Sequence, residues 1–221
     1  MSTGAAPTGH SKRRARTRAA LLAAARQLLA EGRETASIEE ITKRAGVGFG
    51  SFFNHFPGGK DELFTEAVLD VLDAYSAWVT SLTQPLTDPA EVFALSFRIT
   101  GRLGAAQPDL FAPVLARGSE ILLVDRGLRQ AALADLRAGV DSGRFIALDP
   151  EVHLLAVGGV LLGLMRAAVV TPGLTTAAID AVSAGVLRML GVSAQEAQEI
   201  CARPLPGSPG VAQWFAAVAV P

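Results

Sequence analysis

Cysteine is nearly absent: Cys201 stands alone in 221 residues. That excludes an intrachain disulfide and a cysteine-built zinc site, and it fits a reducing cytoplasm. Histidine is scarce too, with His10, His55 and His153 scattered along the chain. No nucleophile, base and acid are grouped, so an enzyme is not expected. Glu151-x-His153 has the wrong spacing for two ligands on one helical face, so neither a metal site nor a cofactor is expected. No apolar run is expected to reach membrane-spanning length, because the longest, 154–170, is interrupted by Arg166 and several glycines. The basic N-terminus lacks the apolar core of a secretion signal. No alternating pattern is long enough to build a sheet, and there is no internal repeat.

What is present is apolar residue in quantity, half of the chain, enough for a substantial core. Charge is unevenly placed. Residues 1–60 hold ten Lys and Arg against four Asp and Glu, a balance of +6, and residues 61–221 hold ten against seventeen. A basic first quarter on a mildly acidic body points to a polyanion met by the N-terminal part alone.

The periodicity predicts an all-α chain. Residues 1–11 read as a disordered tail, and a first helix starts near Lys12–Arg14 and stops at Gly32. Two short helices follow, then Pro57-Gly58-Gly59, then a long helix with Leu63, Phe64, Ala67, Val68, Val71, Leu72, Tyr75, Trp78 and Val79 on one broad face. About twenty residues make it ~30 Å long, enough to leave a small head and enter a second domain. Further helices are expected at 89–104, 108–116, 120–142, 150–171, 176–190 and 194–202. Asp88-Pro89, Asp149-Pro150 and Ser193 mark starts, and Pro172-Gly173 marks a stop. The expected division is a tail to 11, a head over 12–59, a helical body over 60–203 and a C-terminal tail over 204–221 with an apolar stretch at 211–220.

Residues 37–64 carry the most chemistry. Ser37 and Glu40 form the pattern of a capping box, and Ile38, Ile41 and Ala45 give the helix after Ser37 an apolar stripe. Gly46 sits where the chain must turn sharply. Val47 and Phe52 anchor the next helix on the same small core. This is the layout of a helix-turn-helix, whose second helix enters the major groove of DNA.

The segment 13–72 also resembles the TetR family of bacterial transcriptional regulators. The resemblance rests on Ala45-Gly46-Val47, Gly50-Ser51-Phe52-Phe53, His55-Phe56, Lys60 and Glu62-Leu63-Phe64. It implies a three-helix DNA-binding head joined by a long helix to a helical domain for ligand binding and dimerisation, with repression relieved by a small molecule. It further implies a recognition helix over 48–54, with Gly48, Phe49 and Ser51 towards the bases. Phe53, Asn54 and His55 would approach the backbone, and Ser37 and Lys60 phosphates. Lys43, on the preceding helix, is a further phosphate candidate. The chain departs from the family pattern at Gly48, where a hydroxyl is usual, at Phe49, often polar or basic, and at Phe53, usually tyrosine. One extra glycine lengthens the turn before Lys60. Phe49 is expected to face outward and press on a thymine methyl group.

In the body, Tyr75, Trp78, Phe93, Phe97, Phe111, His153 and Met165 are candidates for the wall of an effector pocket; for Trp78, Phe93, Phe97, Phe111 and Met165 ordinary core packing is the plainer alternative, and for His153 the plainer alternative is a satisfied buried or interface histidine. Their apolar character suits a lipophilic effector. The helices near 150–190 carry Gly158, Gly159, Gly163 and Gly185, and so much apolar surface needs a partner, expected to be a second copy of the chain. The function expected is a homodimeric regulator, a repressor of an inverted-repeat operator in double-stranded DNA, without a membrane partner. The alternatives are an all-α enzyme and a protein-binding adaptor with a basic head.

Overall fold

The computed structural model describes residues 9–106, 108–170 and 174–206. Residues 1–8, the Pro172-Gly173 stop and the tail from 207 with its apolar stretch lie outside the described residues. Ten α-helices and one 3-10 helix form, and no strand occurs among the described residues. They are α1 (Gly9–Ala30), α2 (Ile38–Ala45), α3 (Phe49–Phe52), α4 (Lys60–Thr83), α5 (Pro89–Ala106), α6 (Pro108–Ala116), the 3-10 helix (Gly118–Leu123), α7 (Gly127–Asp141), α8 (Pro150–Val170), α9 (Thr176–Met189) and α10 (Ala194–Ala202). Two compact units result, one up to Val71 and one from Leu72, and α4 contributes residues to both.

The first unit is built on Leu21, Leu28, Ile41, Phe52, Phe56 and Leu63, all without exposed surface. Burying each such side chain contributes ~1.5–3 kcal/mol. Helix α1 begins at Gly9, earlier than expected, so residues 9–11 are helical and not tail. Between Gly9 and Gly32 nothing breaks a run rich in Ala, Arg and Leu, all good helix formers. Ser37 caps α2, its Oγ accepting the Glu40 N–H at 3.2 Å. The other half of the capping box is not made, because the Glu40 carboxylate pairs with Arg33 at 2.7 Å. Gly46 closes α2 in the left-handed region, at φ 65° and ψ 32°. Helix α3 is four residues long, against the seven expected over 48–54. Gly48 and Gly50 are poor helix formers, and Asn54 and His55 fall in the turn that follows.

The second unit packs around α5, which lies against α6, α7, α8, α9 and α10. Its largest core cluster includes Phe93, Phe97, Leu133, Leu136, Leu187 and Leu190. Asp88 and Asp149 cap α5 and α8, accepting the N–H groups of Ala90 and Glu151, each at 2.9 Å. Thr175 and Ser193 do the same for α9 and α10. The single helix expected over 120–142 is broken. Arg126 is extended, and a Cβ on Gly127 would lie 2.7 Å from Asp73 Oδ1 and 3.2 Å from its Cα. Only glycine lets α7 start so close to α4. Helix α8, at 21 residues, is long and apolar enough by length and composition to cross a membrane, contrary to the expectation for 154–170. In the fold it instead buries His153, Leu154, Val157, Gly158 and Met165 against its neighbours.

Candidate nucleic-acid interface and effector site

The four phenylalanines of residues 49–56 divide cleanly. Phe52 and Phe56 are wholly buried, whereas Phe49 is 55% exposed and Phe53 47% exposed. The inward pair anchors α3, and the outward pair meets edge to face at 6.1 Å between ring centroids. Gly48 precedes α3 as an exposed, extended residue, and nothing but Ser51 Oγ, at 3.9 Å, would touch a Cβ there. Gly48, Phe49 and Phe53 therefore lie open at α3, with Ser51 half-buried beside them.

The basic side chains divide as well. Arg18 pairs with Glu66 and lies over the Phe56 ring, Arg26 pairs with Asp70, Arg33 with Glu40, and Arg44 with Glu31. These hold the unit together. Lys12, Arg13, Arg16 and Lys43 are exposed and have no acidic partner among the described residues, and Arg14 meets only the Asn54 carbonyl, at 3.5 Å. The unpaired cations are the ones free to meet phosphate. Lys60 opens α4, with its Nζ 3.5 Å from the Thr35 carbonyl. Exposed Ser37 accepts a hydrogen bond as a cap and keeps its own hydroxyl proton to donate. His55 is half-buried with Nδ1 unpartnered. Burial, aided by the charges of Arg14 and Arg18, lowers its pKa.

All seven pocket candidates fall in the second unit. Phe93 and Phe97 stack at 5.8 Å within the largest core cluster. Tyr75 is buried, its hydroxyl 2.8 Å from Thr100 Oγ1, and burial raises its pKa. Its ring lies 5.8 Å from that of half-buried Trp78. Phe111 and Met165 are buried outside the main cluster. His153 is buried, and both ring nitrogens lack a hydrogen-bond partner. Of the expected satisfied buried or interface histidine, the structure shows the burial but no hydrogen-bond partner for the ring within the chain.

Several polar groups here went unnoticed in the sequence. Arg98, 3% exposed, donates to Asp180 at 2.8 and 3.4 Å and to the Arg203 carbonyl at 3.0 Å. Arg102 shares the same carboxylate at 2.5 Å. Burial alone would raise the Asp180 pKa; the two guanidinium groups outweigh it and the carboxyl ends below its usual range. Asp135 has no such partner, and burial pushes its carboxyl up to about 6. No cluster of three metal-ligating side chains occurs among the described residues.

One face of α8 and α9 is left uncovered. Val152, Leu155, Val169, Val170 and Met189 are exposed, and a Cβ on Gly159, Gly163 or Gly185 would meet nothing within 4 Å. Gly158 differs from its expected place on this face: it is buried, with Leu122 Cδ1 2.8 Å from a Cβ position.

Residues 21–67 match the family profile of bacterial regulatory proteins of the tetR family, and residues 88–203 match that of the tetracyclin repressor-like C-terminal domain. The HTH-type transcriptional regulator LmrA of Bacillus subtilis (strain 168) is 26% identical over 157 residues, 65% of this chain and 84% of LmrA. Among solved structures, RolR in complex with resorcinol is 32% identical with a TM-score of 0.76, covering 89% of this chain and 98% of RolR. A regulator from Shewanella sp. PV-4 is 22% identical with a TM-score of 0.60, over 80% of this chain and 99% of that one; at that identity the likeness is one of fold.

Proposed function

Because the chain belongs to the TetR family of bacterial transcriptional regulators, we propose that it is a cytoplasmic homodimer that represses transcription from an inverted-repeat operator and leaves the DNA when a small apolar effector binds. The observation that carries this reading is the open α3, with Phe49 and Phe53 exposed in the same unit that carries the unpaired cations Lys12, Arg13, Arg16 and Lys43, and with Arg14 of α1 reaching the Asn54 carbonyl. Exposed aromatic rings and uncompensated positive charge in one small unit suit a polyanionic partner.

In this reading residues 12–59 bind DNA and residues 60–203 bind the effector and dimerise. Gly48, Phe49 and Ser51 meet base edges. Ser37, Lys43, Phe53, Asn54, His55 and Lys60 lie along the backbone. The uncovered faces of α8 and α9 form the seam of a two-fold dimer, where Gly159, Gly163 and Gly185 allow close helix contact. Helix α4 contributes to both units and is the covalent route by which an occupied effector site alters DNA binding. The binding of resorcinol by RolR, at 32% identity, supports a small neutral effector.

Mobility-shift titration with the DNA upstream of the chain's own coding region tests the reading. A preferred site should compete well against random DNA at 150 mM salt, roughly physiological. Weak binding without a preferred site, lost steeply as salt rises, would sink it.

A further inference from the structure

His153 is the most unusual polar group in the second unit. It lies on α8, one turn from the start of that helix, and is 2% exposed. Its neighbours Leu154 and Val157 belong to the main core cluster. A neutral imidazole always carries one N–H donor and one bare nitrogen acceptor. Here neither has a partner. The charged groups nearby are otherwise engaged: Asp149 caps the Glu151 N–H, and Glu151 pairs with Arg129 across to α7. Leaving both nitrogens of a buried ring unpaired is costly, and such groups are expected to meet a partner in the working protein.

We propose that His153 is the polar anchor of the effector site and that the effector is a small, mostly apolar molecule bearing a hydroxyl group. This rests on the regulator reading above, in which residues 60–203 take the effector. A hydroxyl both donates and accepts, so it satisfies either tautomer of the ring. A water could do the same only with further polar partners, and the flanking side chains are apolar. Burial lowers the pKa of the ring against the opposing charge of Asp149, which disfavours the positive ring that a carboxylate or phosphate would call for. The chemistry thus favours an alcohol or phenol over an anion.

The experiment uses the full chain and the nitrogen NMR signals of its three histidines. Phenol and cyclohexanol are titrated, with toluene and methylcyclohexane as hydroxyl-free counterparts. The hydroxylated probes should shift one imidazole signal, the one missing from His153→Leu. Toluene should leave that signal in place. His153→Leu should weaken phenol about tenfold while leaving toluene within about twofold, as expected for one lost hydrogen bond. If His153→Leu does not fold, His10→Gln and His55→Gln assign the His153 signal by elimination, and the wild-type titration then decides. Hydroxylated probes that fail to bind, or that saturate without moving the His153 signal, overturn the proposal; the latter is also what a resident water would produce. Operator binding is measured separately by mobility shift. A chain that binds phenol at His153 but no preferred DNA site would overturn the regulator reading and keep the anchor. A chain released from its operator without any response at His153 would do the reverse.

Discussion

Arg98 donates from Nε to Asp180 Oδ1 across 2.8 Å, and its guanidinium is almost wholly inside the second unit. The same guanidinium reaches the Arg203 carbonyl at the end of α10, so one side chain of α5 ties α9 and α10 to it. Arg102 adds a second cation to the one carboxylate. Of the two guanidinium groups only that of Arg98 is buried, and Asp180 is the acid that pairs with both among the described residues.

Asp180→Asn should therefore destabilise the chain by about 3–5 kcal/mol, the usual consequence of stranding a buried charge. Arg102→Ala should cost far less, on the order of 1 kcal/mol, since solvent screens its partly exposed head. Urea denaturation of both variants checks the ordering. Equal losses would mean that the network is not what holds α9 to α5.

Asp135 sets a pH dependence of opposite sign to that of an ion-paired acid. Its folded carboxyl titrates at about 6, above the ordinary value of 3.8, because burial disfavours the charge. Below about pH 4 it is protonated folded or unfolded, and no penalty applies. As pH rises from 4 through 6 the folded chain keeps a proton that the unfolded chain has released, and stability falls. Above 6 the full penalty is present. Asp135→Asn removes it, so the variant should match the wild type near pH 4 and exceed it by about 1–3 kcal/mol at pH 7. Melting curves across that range decide. A constant difference at all pH values would assign the effect to packing.

The caps were legible because a cap is a local matter. Ser37, Asp88, Asp149 and Ser193 each satisfy an N–H two or three residues on, and the sequence within that span is all that is needed. Gly46 was legible for the same reason. The break before α7 was not, since it depends on Asp73, more than fifty residues earlier, pressing against Gly127. Arg98 reads as one polar position in an amphipathic helix until Asp180, 82 residues away, is brought to it. His153 was singled out by its apolar neighbours, but its lack of a partner required the packing of α8. In the head, spacing from Phe52 places Phe49 outward, and it is exposed; α3 is shorter than the family pattern implies because Gly48 and Gly50 weaken it.

Assembly can be checked on the uncovered helices. Gly159→Arg and Gly163→Arg place a charge on a face of α8 where a Cβ now meets nothing. In the proposed dimer that face is the seam, and each variant should yield monomers or insoluble protein. Gly158 faces Leu122 inside the same chain, so Gly158→Ala should lower stability without changing the mass of the assembly. Light scattering after size exclusion reads both. A soluble, unaltered dimer from Gly159→Arg and Gly163→Arg would move the interface elsewhere.

The last prediction separates reading of bases from attraction to phosphate. The proposed dimer should prefer an inverted repeat with half-sites ~34–36 Å apart, or a multiple of that distance. Arg13, Arg16 and Lys43 have no acidic partner among the described residues, so replacing any one that meets phosphate should weaken specific and random DNA alike and flatten the salt slope by about one charge. Arg18 and Arg44 are committed to Glu66 and Glu31, and replacing them should act through stability of the head. Phe49 carries no charge and is the most exposed ring at α3. If it presses on a thymine methyl group, Phe49→Ala should relax preference at a thymine-containing position by about 1–3 kcal/mol and leave random-sequence binding nearly intact. Because the ring is not in the core, the variant should melt within about 0.5 kcal/mol of the wild type. Equal losses on specific and random DNA, with unchanged melting, would show that sequence is read elsewhere or through DNA shape.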